Sequence, residues 1–387
     1  MASPEFGGTK MTQEISDLLS PVALVDIERL ERNINNMATK AKESGVELRP
    51  HIKTHKCIEI GMKQLSAGAS GITVSTLAEA HAFADAGFKD ITYAVPLAPD
   101  KFGVISEISR KVSLKVLVDN SDTVDMLDEF SGRIGTEFMV LLKVNCGNNR
   151  AGVDPTTQSA VRLAKRIEEA PNLEFKGILA HAGHSYSTSS ISEIKKIAEQ
   201  EQDIIINFAK TLKTEDADLT PDVVSIGSTP TIRIAESFRE GITEIRPGNY
   251  VFFDYTQLNL GTCEVSDIAF TVQASVIGTY PGRVVIDAGA TALSKDRGPA
   301  HIEDTGYGKV ISNYTEGIIE HDFTISSLSQ EHGKVNIEGG HQLSPGFKLR
   351  IIPNHSCLTA NLYDYYNVVK GDEVVDRWKI HRNRVEN

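Results

Sequence analysis

The sequence predicts an α/β protein: a (β/α)8 TIM-like barrel followed by a C-terminal, mainly antiparallel β domain. Three observations predict it. Short apolar runs near 47–53, 71–75, 91–95, 114–118, 138–144, 175–180, 223–226 and 242–246 alternate with helix-length segments of mixed polarity. Beyond Asp254 the texture changes to strand-like runs at 268–278, 283–287, 322–328, 334–337 and 347–352, split by Gly, Pro and Asp turns and without a long helix. No repeat or low-complexity linker separates the two parts, so they are expected to pack firmly.

Each element has a local reason. After Ser20-Pro21 a short apolar run reaches Val25, and Leu30, Ile34, Met37, Ala38 and Ala41 then recur at the spacing of one buried helical stripe, which Gly45 ends. From residue 47 the alternation implies parallel strands joined by right-handed crossovers. Eight such units over about 200 residues suit a closed barrel better than an open sheet. The expected units are 29–255 for the barrel and 11–28 plus 256–387 for the β domain. The opening MASPEFGGTK reads as vector-derived, with Met11 as the native start, and is set aside.

Composition narrows the function. No run approaches the roughly 20 apolar residues of a membrane span. A net charge of -12 leaves no dense Lys/Arg patch for nucleic acid or anionic lipid. Four widely spaced cysteines, Cys57, Cys146, Cys263 and Cys357, suit a reducing compartment, so the expected location is cytoplasmic.

In a parallel barrel the functional groups gather at the C-terminal strand ends. Lys53 stands there on strand one, inside RPHIKTHK (49–56), a crowd of basic side chains and histidines. Desolvated near other cations, such an amine has a lowered pKa and is a nucleophile toward an aldehyde, although a lone lysine at a loop entrance is ordinarily just solvated. SIGSTPT (225–231) and RPGNY (246–250) follow strands seven and eight, where barrels often bind phosphate. Taken singly, each is an ordinary turn. His355 and Cys357, at i and i+2 of an extended strand exit, would point the same way and grip a metal; by spacing alone such a pair is more often structural. His81 is expected to pack inside a helix, and Cys57 and Cys146 to be small buried thiols. His332 either reaches the site or stabilises a turn, and Trp378 with the tail HRNRVEN is expected at the periphery.

In order along the chain, RPHIKTHK, CGNNRAG (146–152), HAGHSY (181–186), SIGSTPT, IRPGNYVFFD (245–254), DAGATALSKDRG (287–298), LSQEHG (328–333) and PNHSC (353–357) resemble the D-serine dehydratase and D-threonine aldolase family, a branch of the alanine-racemase-like pyridoxal-phosphate enzymes. The resemblance implies a homodimer that takes a small D-amino acid and binds pyridoxal 5'-phosphate through Lys53. It places Arg150 near the cofactor's phenolic oxygen, His181 and Tyr186 about its ring, and Gly227, Ser228, Thr229, Gly248 and Asn249 around its phosphate. Arg246 faces the pyridine nitrogen or is structural. The metal on His355 and Cys357 is then zinc, with manganese the alternative. Lys53 would take the Cα proton while the metal draws off the β-hydroxyl, giving a D-serine or related D-3-hydroxy amino acid dehydratase. Retro-aldol cleavage, with His184 or His51 as base, is the alternative. Cys at the second metal position favours dehydration, since aldolases of the family carry Asp there. A racemase or a non-catalytic cofactor-binding protein are the remaining readings.

Overall fold

The computed structural model describes residues 13–302 and 306–382; residues 1–12, Met11 among them, and the end of the HRNRVEN tail lie outside the described residues. Eight parallel strands form one sheet: Glu47–Leu48, Ile72–Val74, Asp90–Pro96, Ser113–Val118, Phe138–Lys143, Leu173–Leu179, Val223–Ile226 and Glu244–Ile245. The last pairs with the first through Glu244↔Glu47, and the first reaches the second through the His51↔Thr73 bridge and Thr73 N–H to Pro50 C=O at 2.8 Å. The sheet is therefore closed. Its strands are buried on both faces, which is why they read as continuous apolar runs.

The second sheet is antiparallel around a closed ring. Phe270–Tyr280, Arg283–Ile286, Gly333–Ile337, Ile318–Leu328, Lys309–Asn313 and Lys348–Ile352 pair in that order, and Lys348–Ile352 returns to Phe270–Tyr280 through Val272↔Ile351. Val22–Asp26 extends this ring by pairing with Phe270–Tyr280, and Tyr365–Lys370, Glu373–Lys379 and Gln13–Glu14 follow. The strands at 309–313, 365–370 and 373–379 were not expected. In Glu373–Lys379 charged and polar positions interrupt the apolar pattern, and the hairpin with the adjacent Tyr365–Lys370 settles the pairing.

Asp26 joins the two sheets. It ends Val22–Asp26 and caps helix Ile27–Glu43, accepting from the Arg29 N–H at 2.9 Å. The predicted stripe Leu30, Ile34, Met37 and Ala41 is buried, and Gly45 takes φ 67° just past the helix. After barrel strand eight the chain crosses over, and the Tyr255 and Thr256 N–H groups donate to the Pro353 and Asn354 carbonyls. That contact seats the turn after Lys348–Ile352 over the barrel mouth.

Two expectations for side chains fail. His81 does not pack inward; it lies partly exposed on the outer face of Leu77–Asp85 and pairs with Asp85 at 3.0 Å, as i,i+4 neighbours can. Trp378 is buried rather than peripheral, its indole N–H bonded to Asp376 and the Lys63 ammonium over its ring. His332 is exposed, and its carbonyl closes a turn by accepting from the Ser329 N–H at 2.8 Å. No helix among the described residues is long and apolar enough to cross a membrane.

Candidate active site

Strand one ends in the 3-10 turn Ile52–Thr54, which lifts Lys53 into the barrel mouth. Two adjoining cavities of about 340 and about 180 Å³ share His51, Lys53, Arg150, His181 and Arg246 as walls. The smaller adds Tyr186, Ser228, Thr229, Gly248, Asn249, His355 and Cys357. Thus the structure brings together every expected site residue but two: Gly227 lines only the larger cavity, and His184 lines neither. The His184 ring packs against Gly147, where a Cβ would stand 3.5 Å from it. A larger groove of about 490 Å³ beside helix Leu77–Asp85 holds none of the residues expected to bind cofactor or metal.

Burial makes this mouth a place for uncharged bases. It lowers the Lys53 pKa; the Cys357 thiolate resists, Arg150 and Arg246 push further, and the amine ends below its ordinary value. His51 and His181 are driven well below theirs, first by burial and then by Lys53. The neutral His181 ring has Nδ1 2.7 Å from the Gly227 carbonyl, so Nδ1 carries the proton and Nε2 is left as an acceptor. Lys143, which sequence reasoning missed, lines the larger cavity and is lowered to about 8 by burial and Arg246.

At the end of strand seven, Val223–Ile226 gives way to Gly227, whose φ of 127° favours glycine. Ser228 caps the short helix Thr229–Ile234, and its hydroxyl also meets Ser185 at 2.9 Å. Gly248 has a packing reason of its own: a Cβ there would stand 2.9 Å from the His51 carbonyl oxygen. The Asn249 amide nitrogen donates to Asp254 at 2.7 Å and Ser356 at 2.9 Å. Arg246 is buried and donates inward to the Ser225 hydroxyl and the Ala180 carbonyl. Cationic walls and a low-pKa amine fit an anionic aldehyde cofactor.

His355 and Cys357 meet by a different local geometry from the one expected. His355 is extended, with φ -138° and ψ 105°, but Cys357 is already inside helix Ser356–Ala360, so strand alternation is not what aligns them. Coil-to-helix geometry does. Burial opposes a charged imidazole, yet the adjacent Cys357 thiolate, aided by Asp254 and Asp296, lifts His355 to about 9. Burial likewise opposes the thiolate, and His355, Thr54 and Lys53 outweigh it to keep Cys357 below its ordinary value. Thr54 Oγ1 lies 3.2 Å from Cys357 Sγ, the Tyr186 ring runs parallel to the His355 ring at 6.5 Å, and an Asp296 oxygen is 4.0 Å from His355 Nδ1. An imidazole beside a thiolate is a donor set that fits a zinc-like ion. Glu320, Asp322 and His341 form a three-donor cluster elsewhere, on the small barrel and partly exposed.

Residues 25–256 match the family described as alanine racemase, N-terminal domain, and residues 269–369 the one described as putative serine dehydratase domain. The chain is 36% identical to the D-threo-3-hydroxyaspartate dehydratase of Delftia sp. (strain HT23), covering 95% of this chain and 99% of that one. It is also 36% identical to a D-serine dehydratase of Dictyostelium discoideum, covering 96% and 98%. The solved Delftia enzyme superposes with a TM-score of 0.90 at 34% identity over 97% of this chain and 100% of that one; a variant of it is described as being in a metal-free form. D-threonine aldolase from Filomicrobium marinum superposes with a TM-score of 0.85 at 26% identity, covering 97% and 98%. With its barrel, β ring and half-buried lysine accounted for, the chain belongs to the D-serine dehydratase and D-threonine aldolase family, alanine-racemase-like pyridoxal-phosphate-dependent lyases.

Proposed function

We propose that this protein is a metal-dependent dehydratase of a D-3-hydroxy amino acid, D-serine or D-threo-3-hydroxyaspartate, with Lys53 as its base and His355 and Cys357 as metal ligands. One observation carries the reading: a depressed-pKa amine and a thiolate-imidazole pair face the same small cavity, joined through Thr54, the neighbour of Lys53 in the chain. Bound pyridoxal phosphate supplies an electron sink for the pair left at Cα. Zinc, or manganese, supplies a Lewis acid at the β-hydroxyl.

The chain's own residues do the rest. Lys53, uncharged more readily than an ordinary lysine, takes the Cα proton. His181 stays neutral with Nδ1–H on the Gly227 carbonyl, which fixes its ring beside the cofactor without adding charge. Arg150 serves the phenolic oxygen and Tyr186 the ring; Ser228, Thr229, Gly248 and Asn249 surround the phosphate, with Gly227 shaping the turn. Arg246, whose donors point into the barrel, tunes the site from beneath. Loss of a proton and of hydroxide leaves an enamine, which water converts to a 2-keto acid and ammonia.

Incubation with D-serine, D-threonine and D-threo-3-hydroxyaspartate tests the proposal. Keto acid with ammonia, abolished by EDTA, is the expected result. Glycine with an aldehyde would replace it by the aldolase reading, in which His51 is the better-placed base because it lines both cavities and His184 lines neither.

We also infer two units, 29–255 and 11–28 plus 256–387; the pairing of Val22–Asp26 with Phe270–Tyr280 supports giving the N-terminal segment to the second. A cytoplasmic homodimer is part of the same reading. The four free cysteines suit a reducing compartment, and Leu358, large, exposed and next to Cys357, suits cover by a second subunit.

A further inference from the structure

Asp254 follows barrel strand eight and is 1% exposed. Its carboxylate accepts four donors. Oδ1 takes the Gln257 N–H at 3.0 Å, which caps helix Tyr255–Asn259. Oδ2 takes the Ser356 N–H at 2.9 Å, the Ser356 hydroxyl at 3.2 Å and the Asn249 amide at 2.7 Å. Ser356 is the residue between His355 and Cys357, and Asn249 lines the same cavity as both. One oxygen therefore ties the turn carrying the two metal-ligand candidates to the loop after strand eight.

A helix cap alone does not explain this residue. Asn, Ser or Thr caps as well as Asp, and none of them buries a charge. A buried carboxylate costs several kcal/mol in desolvation unless something compensates it. Among the described residues no lysine or arginine forms an ion pair with Asp254. A metal ion at His355 and Cys357 would supply the missing positive charge, and outer-shell partners of this kind orient ligands and raise metal affinity.

We propose that Asp254 is a positioning residue for the metal site: it holds the His355–Cys357 turn through Ser356 and contributes the negative charge that the cation balances. The inference rests on reading His355 and Cys357 as ligands. It makes two different demands on the turn, a tether and a charge, and two variants separate them. Asp254→Asn keeps an oxygen for the cap and loses the charge; Ser356→Ala keeps the charge and loses the hydroxyl tether.

The experiment measures zinc affinity of the cofactor-loaded protein by competition with a chromophoric chelator, alongside thermal melting and the thiolate-to-metal absorption of the cobalt-substituted form. Asp254→Asn is expected to weaken zinc about 10- to 100-fold and to alter the cobalt spectrum, and Ser356→Ala to weaken it by a smaller factor. Lower thermal stability with unchanged zinc affinity in Asp254→Asn would reduce the residue to a helix cap and overturn the proposal. If Asp254→Asn does not fold, Ser356→Ala decides, and wild-type zinc affinity there overturns it equally. Wild-type protein that binds no zinc sinks both this proposal and the metal limb of the dehydratase reading, whereas a wild type that binds zinc but cleaves to glycine sinks only the latter.

Discussion

Cys357 is the residue on which the chemistry divides, because the proposed metal ligand lines the same small cavity as the base. Thr54 lies 3.2 Å from it, and its negative charge is one of the influences that keep the Lys53 pKa from falling further. Cys357→Ala should therefore lose the zinc. Cofactor absorbance should survive, while turnover of D-serine drops by at least about a hundredfold, the scale on which a Lewis acid at a leaving group acts. Full activity with no bound metal would remove the metal from the reaction. At this scale the sequence was readable where residues sit in contiguous motifs: Lys53 in RPHIKTHK and the His355–Cys357 pair in PNHSC. Thr54, Lys143 and Asp254 passed unremarked because their partners lie far away in the chain. Asp254 meets Ser356 across 102 positions, a contact that no local spacing encodes.

At the scale of elements, helix Ile191–Glu215 sends one buried carboxylate to two active-site loops. Glu201 accepts the Ala182 N–H at 2.9 Å, the Gly227 N–H at 3.1 Å and the Thr231 hydroxyl at 3.2 Å. Those loops carry His181 and Ser228, so the helix fixes their separation. Glu201→Ala would leave two buried N–H groups without an acceptor, at about 1–3 kcal/mol each. The melting temperature should fall by several degrees, and cofactor affinity should fall with it, measured by titrating pyridoxal phosphate into the resolved protein; Glu201→Gln, which keeps an acceptor oxygen, should recover part of both. Unchanged melting in Glu201→Ala would refute the clamp. Barrel strands were legible because burial leaves short apolar runs, as in Phe138–Lys143, even where Glu174 and Lys176 interrupt one in Leu173–Leu179. The strand Tyr365–Lys370 was not, since its pairing with Val22–Asp26 joins opposite ends of the chain, and the His355 turn was read as extended because nothing in PNHSC announces that Ser356 begins a helix.

For the whole molecule the decisive contact is a ring of aromatic side chains where the two sheets meet. His55, just past strand one, packs edge-on against Phe252, which stacks on Phe270 and meets Tyr366 at 5.4 Å; the Tyr366 hydroxyl donates to the His55 carbonyl at 2.8 Å. The barrel contributes the first two residues and the second sheet the last two, so neither half buries its edge alone, and heating should give one unfolding transition rather than two. His55 also makes that interface sensitive to acid. Its Nδ1 accepts the Cys57 N–H at 3.1 Å and its Nε2 faces the Gln64 side-chain oxygen at 3.2 Å, an arrangement open only to the neutral ring. Burial accordingly holds its pKa at about 3. Above pH 6.5 neither folded nor unfolded chain carries a proton there, and stability is indifferent to pH on this account. Between 6.5 and about 3 the unfolded chain binds a proton that the folded one refuses, so stability falls as pH falls; below about 3 the loss is complete, with an upper bound of roughly 4–5 kcal/mol from this residue. Melting curves from pH 7 to 4 should therefore show a falling midpoint, and His55→Asn, less stable at neutral pH, should flatten that fall. An acid slope unchanged by the substitution would transfer the effect to His51 and His181, whose pKa values are lowered the same way.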